Sequence, residues 1–210
     1  MKIVALNGSP RLRGNTYLLL EKALDTMRPY GANVKLISLS DKFISPCKGC
    51  YGCVVAKECI VKDDFQEIYE HILDADGLML GSPVYHSCIT PYLKSVLDRT
   101  GFSSRWRSSL MKKKNEYYTW ANSPLSGKVV APVTVARRAG QNFAFAELLL
   151  WASANDCIII GNTYWNVAIA GKGGSIGIDE DLEGISIMHN IGERMVNLIS
   201  LLKRKDSTNV

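Results

Sequence analysis

Short apolar runs alternating with helical stretches constrain this chain more than any other feature. Residues 2–6, 34–39, 77–80, 129–135 and 158–160 each read as a buried strand. Between them lie stretches of helical character. One runs from Tyr17 to about Met27, and one opens at Asp63-Asp64 with Phe65, Ile68, Ile72 and Leu73 on its apolar side. Pro91 suits the first turn of a third, with Leu93, Val96 and Leu97, and a fourth spans residues 143–154. In the last, Leu182, Ile185, Met188, Ile191, Met195, Leu198 and Leu202 recur every three or four residues. Strands and helices in strict alternation predict an α/β fold, a doubly wound five-stranded parallel sheet. Ligands of such sheets sit beyond the carboxyl ends of the strands. The loops at 9–16, 83–88 and 136–141 are therefore expected to converge. The loop after the second strand is expected to open at that same edge. At 210 residues the chain is expected to be one domain over 1–204, with a tail at 205–210.

That second loop carries the densest chemistry. Cys47, Cys50, Cys53 and Cys59, four of the six cysteines, are spaced C-x2-C-x2-C-x5-C, and Gly49 and Gly52 keep the turns between them open. Two-residue gaps between cysteines belong to iron–sulfur and zinc ligation, and a four-thiolate shell suits either. Disulfides are disfavoured, because no leader-like stretch opens the sequence and the expected location is cytoplasmic, where thiols stay reduced. A loop of reduced, metal-free cysteines is the plainer alternative. Of the other two, Cys157 opens an apolar strand and Cys88 lies in the third-strand loop, and packing roles are expected for both.

The first loop, Gly8-Ser9-Pro10-Arg11 through Gly14-Asn15-Thr16, joins a strand to a helix N-terminus with small and hydroxyl residues. Backbone N–H groups and the helix dipole make such a turn receptive to phosphate. Ser9, Asn15 and Thr16 add donors and Arg11 a charge, with Asn15 or Thr16 expected as the N-cap. Neither the P-loop nor the dinucleotide glycine motif is present. No apolar run is long enough to span a bilayer, and the net charge of +5 is too mild to imply nucleic acid. Its excess falls largely in 99–128. Within that span, residues 101–127 form an insertion carrying Arg105, Trp106, Arg107, Lys112, Lys113, Lys114, Tyr117, Tyr118 and Trp120. Its expected use is contact between subunits, with docking of an acidic carrier as the alternative.

Taken together, the Gly8–Arg11 and Asn15-Thr16 loop, the cysteine run followed by Asp63-Asp64, Ser82-Pro83-Val84-Tyr85, and Lys94 with Asp98-Arg99 resemble the flavodoxin-like NAD(P)H-dependent FMN reductases. The compact cysteine spacing is similar to that of the iron–sulfur flavoproteins within that group. The resemblance implies strand order 2-1-3-4-5 and an FMN phosphate held by Ser9, Arg11, Asn15 and Thr16. It places the flavin ring along Pro83, Val84 and Tyr85, with His86 and Ser87 beside them. Ala136 and Gly140 come from a third loop that is glycine-rich in the family and has a single glycine here. It further implies a [4Fe–4S] cluster on Cys47, Cys50, Cys53 and Cys59, and a homodimer or homotetramer. Electrons would pass from a ferredoxin-like donor or NAD(P)H to a small-molecule acceptor. An FMN or quinone reductase with zinc or nothing at the cysteines is the alternative, and a flavin-free module with a zinc loop a third reading. Of the histidines only His86 lies near the expected flavin; His71 and His189 are expected on helix surfaces.

Overall fold

The structure, a computed structural model, describes residues 1–107, 111–114, 117–120 and 123–208, with 111–114, 117–120 and 205–208 described as backbone only. Its centre is a parallel sheet in the order β2-β1-β3-β6-β7, built from β1 (Lys2–Asn7), β2 (Asn33–Ser38), β3 (Gly77–Pro83), β6 (Val129–Ala136) and β7 (Ile158–Ile159). Counted along the expected strands this is 2-1-3-4-5. In β3 and β6 nearly every residue is buried, as strands covered on both faces require. Alternate side chains separate two cores. Ile3, Ala5, Met79 and Val133 face α1 (Asn15–Met27) and α6 (Leu182–Thr208). Val4, Leu6, Leu78, Leu80 and Val130 face α3 (Phe65–Asp74), α4 (Pro91–Arg107) and α5 (Gln141–Ala154).

Three features depart from the expected layout. The fifth position of the sheet is shared. β7 pairs with Val129 and Val130, and a further strand β8 (Val167–Ile169) pairs with Thr134, Val135 and Ala136. A three-residue strand is too short to show a period in the sequence. Next, α4 runs on to Arg107, seven residues into the expected insertion, and an antiparallel hairpin of β4 (Met111–Lys114) and β5 (Tyr117–Trp120) follows. The side chains of Lys112, Lys113, Lys114, Tyr117, Tyr118 and Trp120, to which contact or docking roles were assigned, lie outside the described residues. Finally, the N-cap of α1 is Gly14, with no side-chain cap, so neither Asn15 nor Thr16 fills that position. A short helix, α2 (Gly52–Ala56), sits inside the cysteine loop. Among the described residues no helix is long and apolar enough to cross a membrane.

Close approach of α1 and α6 depends on one glycine. A Cβ on Gly192 would stand 2.7 Å from the Ala23 carbonyl oxygen and 2.9 Å from Thr26 Cβ. Alanine in a helix interior gains about 1 kcal/mol over glycine, but overpacking against a backbone atom that cannot swing away costs about 1–3 kcal/mol. Gly192→Ala is therefore expected to lower the urea midpoint. An unchanged or higher midpoint would mean that the two helices separate freely.

Candidate functional site

Two pockets gather the candidate residues, and they share no lining residue. The first lies at the carboxyl edge of the sheet, a groove of about 620 Å³ counting the space open to solvent. Ser9, Arg11, Asn15 and Thr16 line it from the first loop; Pro83, Val84 and Tyr85 line it from the second, and Ala136 from the third. The first two loops are locked together at their roots. The Gly8 N–H donates to the Gly81 carbonyl at 2.8 Å and the Thr90 hydroxyl to the Gly8 carbonyl at 2.6 Å. Thr16 is buried, and the first turn of α1 holds no acidic residue and no side-chain cap. Its free N–H groups and the helix dipole leave this end of the pocket receptive to an anion.

His86, Ser87 and Gly140 do not line that pocket. His86 and Ser87, at φ 48° and 66°, are the two central residues of a tight turn. The backbones of Tyr85 and Cys88 close it with two 2.9 Å hydrogen bonds. Gly140 adopts φ 93°, and a Cβ there would come within 3.1 Å of Ser87 Oγ. Gly140 thus sits against Ser87 and Val84, which brings the third loop onto the second. Conversely, Ala170, Gly173 and Gly174 line the pocket without having been expected there. They belong to a strap that folds back over the first loop. Arg11 Nη1 donates to the Gly173 carbonyl and Asn15 Nδ2 to the Ile176 carbonyl, both at 2.8 Å. The glycine run Gly171-Lys172-Gly173-Gly174 is a visible signal, but nothing local says where such a run folds.

The second pocket, about 500 Å³ counting the space open to solvent, gathers all four clustered cysteines: Cys47, Cys50, Cys53 and Cys59 line it with Tyr51, Ile60, Arg99 and Phe102. The loop leaves β2 at the expected edge, but its cysteines settle against Arg99, Phe102 and Ser103 on α4. Gly49 takes φ 60°, and Gly52 leaves room for Ile60, whose Cδ1 would otherwise stand 2.4 Å from a Cβ. All six cysteines are free of disulfides. Among the described residues no three ligand side chains converge on a single ion. Burial pushes the Cys53 thiol up; its own backbone N–H opposes this, and Cys59, Cys47 and Cys50 raise it further. Thiols that repel one another as thiolates are the donor set a multivalent cationic centre satisfies. Cys157, half-buried away from this group, has its thiol pushed up to about 12, chiefly by burial.

One ion pair holds the cysteine loop. Arg99, 1% exposed, grips both oxygens of the equally buried Asp63 through Nη1 at 2.8 and 2.7 Å. Nη1 also donates to the Ser45 carbonyl at 3.1 Å, Nη2 to the Val61 carbonyl at 2.8 Å, and Nε to Cys59 Sγ at 3.3 Å. The guanidinium carbon lies 4.1 Å from the centre of the Phe65 ring. Asp63 in turn accepts the Ser45 N–H at 2.8 Å and the Phe65 N–H at 3.1 Å. Both ends of the cysteine loop are thus tied to one buried pair. The sequence marked Asp63 as the start of a helix and Arg99 as part of a resemblance; their partnership across thirty-six residues had no local signature.

With this geometry in place, comparison with known proteins identifies the lineage. Residues 1–172 match the family model described as NADPH-dependent FMN reductase. The chain belongs to that family. Within the FMN reductase family it is similar to two iron–sulfur flavoproteins of Methanocaldococcus jannaschii. One is 31% identical, over 95% of this chain and 97% of that protein; the other is 29% identical, over 97% of this chain and all of its relative. Among solved structures, an archaeal flavodoxin aligns at a TM-score of 0.59 with 13% identity, covering 95% of this chain and 99% of its own. That likeness concerns the fold, and it makes the α/β sheet flavodoxin-like.

Burial alone would push the Asp63 carboxyl up, but the Arg99 fork and the Ser45 and Phe65 N–H groups outweigh it and hold the carboxyl below its ordinary value. A carboxyl lowered on folding contributes stability that is present above its unfolded value of about 3.9 and lost as pH falls through the lower folded value. Asp63→Asn is expected to cost about 3–5 kcal/mol at pH 7, the usual cost of leaving a buried partner unpaired. Urea unfolding between pH 5 and pH 2 is then expected to fall more steeply for wild type than for the variant. Parallel curves would show that Asp63 is not held ionised by Arg99.

Proposed function

We propose that this protein is an electron-transfer flavoprotein that holds FMN in the sheet-edge pocket and a [4Fe–4S] cluster on Cys47, Cys50, Cys53 and Cys59. The observation that carries the reading is the assembly of all four thiols around one pocket, anchored by a buried arginine. Four thiolates on one pocket match a [4Fe–4S] cluster, which takes one thiolate per iron. Ser9, Thr16 and the uncapped first turn of α1 would hold the phosphate, with Arg11 beside them. Pro83, Val84, Tyr85 and Ala136 would lie against the flavin ring. Bound together, these groups supply exchange between one-electron and two-electron carriers. The chain's own part is to hold the ligands, exclude water and set the local charge.

In this reading the donor is a ferredoxin-like carrier or NAD(P)H and the acceptor a small oxidant, with the protein working as a homo-oligomer. A flavin reductase without a cluster is the reading that the matched family description favours. Anaerobic purification separates the two. Iron and acid-labile sulfide at about four each per chain are expected in wild type. Each of Cys47→Ser, Cys50→Ser, Cys53→Ser and Cys59→Ser should lose most of both, while Cys88→Ser and Cys157→Ser keep them. Equal iron in all six variants, or none in wild type, would leave the flavin reductase.

Flavin placement has its own test. Arg11→Ala and Thr16→Ala are each expected to weaken FMN binding by about 1–3 kcal/mol, the cost of a charge-assisted hydrogen bond. Riboflavin, which has no phosphate, should bind all three proteins alike. FMN titrations unchanged by either substitution would place the phosphate in another loop.

A further inference from the structure

Arg99 is the only Lys, Arg, Asp or Glu among the described residues whose whole side chain and backbone are buried. The free energy of removing a guanidinium from water is offset only by near-ideal pairing. Here Asp63, two backbone carbonyls and the Phe65 ring take up Nη1, Nη2 and one face of the guanidinium. That set is sufficient to hold the loop. The remaining edge points elsewhere: Nε donates to Cys59 Sγ at 3.3 Å. The carboxylate is held at Nη1 and the sulfur at Nε, so the positive group lies between the sulfur and its own counter-ion. Other positive charges of the loop, on Lys48, Lys57 and Lys62, are exposed and screened by solvent.

We propose that Arg99 is the positioning residue that makes the cysteine centre easier to reduce, by directing a buried positive charge and an N–H donor at Cys59 Sγ. This rests on the cluster reading given above. Reduction adds one electron, and hence one negative charge, to a centre already bounded by thiolates. A fixed cation and a hydrogen bond to sulfur favour that added charge. A clamp that only shaped the loop would affect how much iron is held, not how readily the centre accepts the electron.

The test uses holoprotein reconstituted anaerobically with iron and sulfide, with the reduced fraction followed by paramagnetic resonance in a mediator-poised titration. Removing Arg99 alone would strand Asp63, so the main variant is the neutral pair Asp63→Asn with Arg99→Gln, which has a similar shape and leaves no unpaired charge. At the wild-type midpoint its ratio of reduced to oxidised centre is expected to fall about tenfold, equal to about 59 mV for one electron. Arg99→Lys, which keeps the charge without the fork, is expected to recover most of that loss. A neutral pair that holds full iron and sulfide at the wild-type midpoint would overturn the proposal. So would variants that stay folded by circular dichroism yet hold no iron, because Arg99 would then act on loop shape alone. Wild type without iron or sulfide would remove the cluster reading itself, a result distinct from both.

Discussion

The cysteine loop depends on the ion pair between Asp63 and Arg99. Some twenty-six residues separate the end of β2 from the start of α3, and most of them are exposed. So long a connection has little apolar surface with which to offset the entropy of being ordered. Burying one ion pair inside it is a costly solution, and it succeeds only when every donor is matched. Here the guanidinium meets a carboxylate, two carbonyls, a sulfur and an aromatic face, and the carboxylate meets two further N–H groups. Ser45 lies just before the first cysteine of the pocket and Val61 just after the last. The pair therefore fixes the ends of the loop and leaves its thiols to line the cavity between.

The sheet was legible because its signal is periodic and repeated. Fully apolar runs such as Val129–Ala136 belong to parallel strands covered on both faces, and α6 carries its apolar positions at helical spacing over six turns. Local pattern was enough for the doubly wound parallel sheet and its core, while the strand order came from the resemblance. The convergence of Ser9, Thr16, Pro83, Tyr85 and Ala136 followed from the same rule, which places loops at the carboxyl edge. What lay beyond local pattern was anything set by long-range pairing of single residues. Arg11 and Asn15 line the pocket, and each also donates to a carbonyl of the 170–177 strap. No window around either residue contains that partner. His86 and Ser87 were placed beside the ring on proximity in sequence, yet a tight left-handed turn takes them off the pocket wall. Two adjacent non-glycine residues at positive φ are not forecast by composition.

The cysteine residues show both limits at once. Their spacing was enough to single out a four-thiol site, and Gly49 and Gly52 serve the conformations assigned to them. The loop leaves β2 at the expected edge, but the docking of its cysteines on α4 through Arg99, far along the sequence, had no local signal. The same helix is tied to the other pocket at its beginning: Thr90, the residue before Pro91, donates its hydroxyl to the Gly8 carbonyl and receives the Leu93 N–H. Thr90 and Arg99 are nine residues apart, roughly 13 Å along a helix axis.

A rigid element that anchors both pockets has a physical consequence. The buried face of α4, with Leu93, Val96 and Leu97 fully packed against the sheet, cannot tilt without opening a core that is dense on that side. Displacement of the cysteine loop relative to the first loop must therefore come from within the loops, and each loop is pinned at a point contact with the helix. The spacing of the two pockets is in this way a property of helix geometry and core packing, not of the exposed segments that carry the chemistry. Sequence change in the loops can alter ligands and charges while the separation stays fixed. A change at Leu93 or Val96 would act on both pockets together, although neither residue touches them.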